Sequence, residues 1–420
     1  MLFVKYTCYD MNAYNLHVIK TDKFKTITVS VAFRRKIKKE EITIRNLIKE
    51  LIINSSANYK TERSLIIETE NLYDLKLLSS NYRIGNYAIF SLKTRFLNEK
   101  YTEEGMNEES IRFLLDILFN PYLDNEVDKC KKKIEKSIKS LSDNKVKYAL
   151  FKLLETTDDM PYSYNSYGYL EDLEKITKED LKKYYESIIH DDIVDVYVVG
   201  DVDENNIKSI FKEYFKITTY HKQNIDIITP ELKYRSKAIE IKEQDNVNQT
   251  QLAILCNING LTERERKYVF PVYSEMLGGS SNSILFENVR GKNSYAYYVN
   301  SVAKPYDNMM MIYSGIDGNN TNNVKKIIEK SLKEINKGKI NQEKLNSAKK
   351  TIVSGIKASL DNPLGIINNY YAKTLVNSDD IETRIKRVEE VTKEEISTLS
   401  KKISIYSYFV LEASNEENND

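Results

Sequence analysis

The sequence predicts an α+β protein made of two copies of one unit, each an antiparallel sheet with helices packed mainly on one face. Three observations predict it. First, LEKITKEDLKKYYES (173–187) runs into the apolar stretch IVDVYVVGD (193–201), and VEEVTKEEISTLSKK (388–402) runs into ISIYSYFVLEAS (403–414). Thr177 and Thr392 are 215 positions apart (392 − 177), close to half of the 420 residues. Second, LSDNKVKYALFKLL (141–154) and LDNPLGIINNYYAKTL (360–375) each break a long helical pattern with Asp-Asn, at an offset of 218 (361 − 143). Two matches in the same order at nearly constant offset point to duplication rather than chance. Third, strand-like segments precede runs of helical pattern in both halves, the order typical of an α+β fold.

In the first half, residues 15–33 suggest a hairpin ending in the alternating TITVSVAF. Helices are expected over about 41–53 and 61–74, since Ile44, Leu47, Ile48, Leu51 and Ile52 form one apolar face. Arg45, Asn46, Lys49 and Glu50 point elsewhere. Strands flank Gly85-Asn86, the second being YAIFSLKTRF (87–96), because Gly-Asn supplies the turn. Long helices fill 106–155. Thr177 reads as the N-cap of a helix over 178–189, with acidic residues in its first turn, and a Val/Ile-rich strand covers 193–200. The second half repeats the scheme. Strands are expected near 236–242 and 248–257, helices near 262–276 and 281–290, then strands near 294–303 and 308–317. Long helices run over 322–375, and Thr392 caps the repeated helix before the last strand. The domain reading is therefore 1–217 for the first copy, 218–235 as a polar linker containing Pro230, 236–414 for the second copy, and a disordered acidic tail over 415–420.

Composition narrows the function classes. Lys and Arg number 63 against 62 Asp and Glu, a net charge of +1, which argues against a nucleic-acid binder with its basic face. No apolar run reaches the length of a membrane span, and MLFVKYTCYD lacks the basic and apolar regions of a secretory signal. Cys8, Cys130 and Cys256 are too few and too scattered for a disulfide framework, so a reducing cytoplasm is expected. Walker A, Gly-x-Ser-x-Gly and Gly-x-Gly-x-x-Gly signatures are all missing. His17, His190 and His221 are the three histidines and are expected in loops or on the surface.

Three segments stand out for chemistry: the helix TIRNLIKELIINSS (43–56), the stretch MLGGSSNSILFENVRGKNSYAYYVNS (276–301), and the tyrosine-rich MPYSYNSYGYL (160–170). From residue pattern alone the first is a core helix. The second is a Gly-Gly break followed by a helix that ends on Arg290. The third is a surface loop packed on the sheet.

Together with the duplication, these segments resemble the insulinase/pitrilysin-type zinc peptidases, the inverted zincins, which share a LuxS/mitochondrial-processing-peptidase-like metallohydrolase fold. That family carries His-x-x-Glu-His on the first helix of its first domain. The resemblance places Asn46 and Glu50 at the two His positions and Lys49 at the general-base Glu. It places Ser137, with Glu135 close by, at the distant Glu ligand on the later helix. No pair of histidines in the chain has the signature's spacing, so the resemblance implies a degenerate metal site, no catalytic residue here, and no zinc bound by this chain. In the second half, Gly278, Gly279, Arg290 and Tyr297 match the family segment whose Arg and Tyr contact the substrate backbone and donate to the developing oxyanion. Pro161, Tyr162 and Gly168 fit a further family pattern, which implies that the aromatic side chains of 160–170 line a peptide-binding cavity, with a plain surface loop as the alternative. The resemblance implies a non-catalytic subunit that pairs with a homologous active zinc peptidase chain, or with itself. It would close a chamber around a peptide substrate, with Arg290 and Tyr297 acting in trans and zinc held by the partner. A non-enzymatic scaffold, akin to the family's inactive subunits of respiratory complexes, or a peptide-binding protein, is the alternative.

Overall fold

The computed structural model describes residues 5–219 and 226–413. Two compact units are present, one comprising Met1–Ile138, Asn165–Asp226 and Leu360–Ala372, the other Lys139–Tyr164, Ile227–Ser359 and Lys373–Asp420. Each unit thus takes one segment from the far half of the chain. His221 and the tail 415–420 lie outside the described residues.

In the first half the elements run β1 (Lys5–Asp10), β2 (Asn15–Lys20), β3 (Thr26–Lys36), α1 (Ile42–Leu51), α2 (Glu62–Asn71), β4 (Lys76–Ile84), β5 (Tyr87–Leu97), α3 (Met106–Phe119), α4 (Val127–Lys139), α5 (Lys145–Glu155), α6 (Leu170–Lys175), α7 (Lys178–Asp191), β6 (Ile193–Gly200) and α8 (Glu204–Tyr214). The first unit's sheet has the order β1-β2-β6-β3-β5-β4. Alternation divides its faces: Leu16, Val18, Val29, Val31, Phe33, Val196 and Val198 point to the helices, where they meet Leu47, Ile48 and Leu51 of α1 and Leu114 and Ile117 of α3. The opposite face carries His17, Arg34, Asp195 and Tyr197, with Tyr370 and Tyr371 from the 360–372 segment against it.

In the second half follow β7 (Ile239–Asp245), β8 (Thr250–Ile258), α9 (Phe270–Ser274), β9 (Ala296–Lys304), β10 (Met309–Ile316), α10 (Thr321–Asn336), α11 (Gln342–Ala358), α12 (Pro363–Val376), α13 (Ile381–Glu389), α14 (Lys393–Ser400) and β11 (Ile403–Ala413). The sheet order is β7-β11-β8-β10-β9. Leu252, Ile254 and Cys256 of β8 face α9, α10, α11 and α14, while Ala253 and Leu255 face Ala149 and Leu153 of α5.

The two sheets repeat one topology. Numbering the five shared strands of each unit in chain order, both run first-fifth-second-fourth-third, with the first and fifth parallel and every other neighbour antiparallel. This is the duplicated α+β architecture the repeated words imply. β1, antiparallel to β2, is an addition to the first unit alone. Both repeated threonines cap as read: Thr177 accepts from the Asp180 amide and Thr392 from the Glu395 amide, each in a reciprocal capping box.

Three readings are corrected. The 15–33 segment is not a hairpin, because β6 lies between β2 and β3 and pairs with both. The sheets are mixed rather than purely antiparallel, since each joins its first and last shared strands in parallel. His17 is neither in a loop nor on the surface: it lies in β2, 3% exposed, bonded to Asp195. His190 does end a helix on the surface, in the last turn of α7.

Candidate functional site

Helix α1 is held by its polar residues as well as its apolar stripe. The residues off that stripe do not face solvent: Arg45, Asn46 and Glu50 are all buried. Arg45 donates through Nη2 to Asp192 at 3.2 Å and to the Phe33 carbonyl at 3.3 Å. Asp192 also accepts from Arg35, which fixes α1 against the end of α7 and the sheet. Thr43 Oγ1 accepts from the Tyr169 amide at 2.9 Å and donates to Asp172 at 3.3 Å. At Gly168 φ is +99°, and a Cβ there would lie 2.8 Å from Thr43 Oγ1. The turn therefore needs glycine both to reach that conformation and to approach α1.

On this helix the first candidate site takes shape. Asn46 donates from Nδ2 to the Ser166 carbonyl at 2.8 Å, and its Oδ1 accepts from Asn81 at 3.2 Å. Both ends of the amide are thus engaged in tying α1 to a loop and to β4. Glu50 is clamped between two ammonium groups, Lys49 Nζ at 2.7 Å and Lys133 Nζ from α4. Burial is the largest influence on its carboxyl and pushes the pKa up. The bonds from Lys133 and Lys49 together outweigh it, so the pKa lies below the usual carboxylate range. Ser137 donates to the Lys133 carbonyl of its own helix at 2.9 Å. The side chain that reaches Glu50 from α4 is Lys133, one turn earlier, which sequence matching passed over.

The donor set does not fit zinc. A zinc site needs imidazole, thiolate or carboxylate groups converging on one point. Here one carboxylate is already neutralised by two cations, and the asparagine oxygen is taken. At an effective dielectric of 20, a dication about 4 Å from one ammonium is repelled by about 8 kcal/mol. Among the described residues no group of three or more His, Cys, Asp or Glu side chains is arranged to hold a metal ion.

The second candidate site lies in the other unit. The segment from Glu265 to Gly279 is one helix in which i→i+5 bonding flanks α9 on both sides. It breaks at Gly278, φ −155°, and Ser280 is extended. A Cβ at Gly278 would lie 2.8 Å from the Ser301 amide of β9, so the helix approaches the sheet as closely as it does only because the residue is glycine. Glu275, beside this break, has a carboxyl raised by burial and only partly offset by Ser280. A further i→i+5 turn, Phe286–Gly291, ends the next helix. Such turns recur at functional sites because they rotate the following side chains off the regular helix frame.

Arg290 sits in that last turn, exposed, its guanidinium 5.2 Å from the Phe286 ring centroid. Tyr297 lies on β9, the edge strand of the sheet. Tyr298 pairs with Gly315 while Ala296 pairs with Ile316, so Tyr297 is the extra residue of a β-bulge. It is 54% exposed. A bulge on an edge strand re-aims a side chain out of the pleat. Arg290 and Tyr297 are thus both presented to solvent by irregular backbone, and neither packs into the core. In the tyrosine-rich loop the roles divide: Tyr162 is buried in the second unit's core, while the Tyr169 hydroxyl accepts from the Asn165 amide at 3.0 Å.

Comparison with known proteins bears on these segments. Residues 175–352 match the model of the peptidase M16 inactive domain. The chain is 26% identical over 406 residues to the probable inactive metalloprotease YmfF of Bacillus subtilis (strain 168), covering 94% of this chain and 95% of that protein. It is 26% identical over 272 residues to the uncharacterized zinc protease YmxG of the same organism, covering 60% and 63%. Among solved structures, a conserved protein from Enterococcus faecalis V583 superposes with a TM-score of 0.91 at 26% identity, over 98% of this chain and 100% of that one.

Proposed function

From the premise that the chain belongs to the peptidase M16 family as one of its inactive homologues, we propose that it is the non-catalytic subunit of a two-chain zinc peptidase. The partner is a homologous chain with an intact His-x-x-Glu-His signature, and zinc belongs to that partner. This chain contributes substrate contacts in trans: Arg290 and Tyr297 hydrogen-bond the peptide backbone near the scissile carbonyl, where a guanidinium and a phenol both donate to a developing negative charge. Asn46, Lys49, Glu50 and Ser137 are the degenerate counterparts of the metal-site residues.

One observation carries the reading. The chemistry of α1 has been converted to structural bonds, with Glu50 clamped by Lys49 and Lys133, whereas Arg290 and Tyr297 stay exposed on a π-type turn and a bulge. That asymmetry is what a subunit needs if it retains substrate contacts after losing the metal. Relatives described as zinc proteases, such as YmxG, are the class of chain from which a partner would come.

The test is cleavage of a long unstructured peptide by this chain alone, and by the chain co-expressed with its nearest His-x-x-Glu-His homologue from the same genome, with metal content assayed in parallel. Zinc-dependent cleavage in the mixture only, slowed by Arg290→Ala or Tyr297→Phe in complexes that still assemble, is the expected result. Removal of one oxyanion donor typically costs about 100- to 1,000-fold in turnover. Cleavage with stoichiometric zinc by this chain alone would overturn the proposal. Neutral effects of both substitutions in an active complex would remove their assigned role.

A further inference from the structure

The strand added to the repeated frame brings a thiol to a buried histidine–carboxylate pair. Cys8 is the one exposed cysteine of the three, since Cys130 and Cys256 are buried. It lies on β1 directly opposite His17 on β2. Directly opposed residues of an antiparallel pair share a face, with Cβ atoms about 4.5–5.5 Å apart. His17 is 3% exposed and stacks on Tyr197, ring centroids 4.2 Å apart. Its Nε2 is 3.2 Å from Asp195 Oδ1, and its Nδ1 is 2.8 Å from the Tyr6 hydroxyl. Asp195 is fully buried and fixed in turn by Arg34 and by Asn15, the latter at 3.2 Å. Arg34 Nε is buried with no hydrogen-bond partner among the described residues. With Nε2–H donating to Asp195, Nδ1 is the acceptor and takes the Tyr6 O–H, and Tyr6 stands two residues from Cys8 on the same face of β1. Nothing in the proposed peptidase role uses this cluster.

We propose that Cys8, His17 and Asp195 form a thiol-activating relay, and that Cys8 is a site of reversible thiolation by low-molecular-weight disulfides. The Cys8 thiol passes its proton to the Tyr6 oxygen as the Tyr6 hydroxyl proton moves to His17 Nδ1, and the thiolate attacks one sulfur of a disulfide RS–SR. The Cys8 S–S bond forms as the RS–SR bond breaks, and the departing RS⁻ takes the proton back from the imidazole. One disulfide and one thiol become one mixed disulfide and one thiol, so no further oxidant is required. Cys8 is the reacting group, and His17 and Asp195 are positioning and proton-holding residues.

The charged and titratable groups around the thiol are Tyr6 and Asp10 on its own strand, His17 on β2, Asp195 on β6 with Arg34 of β3 behind it, and Tyr370 stacked on Tyr6. His17 is the largest influence and lowers the thiol pKa, with burial acting against it; Tyr6 also lowers it and Asp10 raises it. The thiol therefore titrates below its ordinary value.

The experiment follows labelling of the full chain by 4,4′-dithiodipyridine as a function of pH, reading the Cys8 peptide by mass spectrometry. Native protein should be half-maximally reactive below the ordinary thiol value of about 8.5, and the same peptide in urea-unfolded chain should return to it. His17→Gln should move the native midpoint upward and slow labelling at neutral pH about tenfold for each unit moved. Coincident midpoints in native and unfolded chain overturn the proposal, as does a native Cys8 that does not label. A folded His17→Gln variant with the wild-type profile also overturns it. Should that variant fail to fold, the native-against-unfolded comparison decides alone.

Discussion

Removing the Asp192 carboxylate should uncouple helix α1 from its sheet. In the native unit Arg45 and Arg35 both bond to Asp192, and their side chains are 4% and 11% exposed while the carboxylate is fully buried. Glu41 adds a second negative charge 3.6 Å from Arg35. Two guanidinium groups are therefore balanced by two carboxylates. Asp192→Asn keeps the shape and one acceptor but leaves one buried positive charge uncompensated. Breaking a buried pair by deleting one partner costs about 3–5 kcal/mol, because the survivor stays desolvated without its counter-ion. Lys133→Met is the natural control. That lysine is 67% exposed, and its loss leaves Lys49 still paired to the buried Glu50, so the effect should be about 1 kcal/mol.

Native-state hydrogen exchange is the suitable assay, because it reads one unit without requiring the chain to unfold as a single block. Amides of the peptide spanning α1 that exchange only through unfolding of the first unit should lose protection by a factor of about 150 to 5,000 in Asp192→Asn. Amides in β8 and β10 should be unaffected, since those strands belong to the other unit. A loss smaller than about tenfold, comparable with that from Lys133→Met, would refute the claim that the Arg45–Asp192–Arg35 group anchors α1.

Two further outcomes follow from the structure. Thr177→Ala and Thr392→Ala each remove a capping box and should each cost about 1 kcal/mol in stability, measured by chemical denaturation of each variant and of the pair. They lie in different units, so the losses should appear on separate transitions. Glu50, whose folded pKa is depressed, stabilises the first unit fully above its unfolded pKa of about 4.3 and loses that contribution as pH falls through the folded value. The stability gap between wild type and Glu50→Gln should thus be constant well above that unfolded value and narrow as pH falls below it; a gap unchanged on acidification would refute the Lys49–Glu50–Lys133 clamp.

What the sequence displays is what local chemistry decides. Thr177 and Thr392 needed only their own first turns, and the Gly85-Asn86 hairpin only its two residues, so both could be read directly. The β2–β3 pairing could not: two apolar runs joined by a short turn look like a hairpin, and only β6, more than 150 residues later, separates them. The helix α1 was legible by period, but the burial of Arg45 depends on Asp192, 147 residues away, and no periodicity reports that. Likewise Glu50 could be placed on its helix, yet its partner Lys133 belongs to another helix and was visible only as one lysine among many. One trace of the second polar cluster did stand in the open. IVDVYVVG is buried along its whole length, and a strand buried on both faces reads as a nearly continuous apolar run. Asp195 interrupts that run. A carboxylate in such a position must be paired, and the pairing requires cations or donors on neighbouring strands of the same face. His17, Arg34 and Asn15 are those donors, and Cys8 lies across from the first of them. The repeated word before β6 therefore marks the frame, and the aspartate inside β6 marks a buried polar cluster built on it.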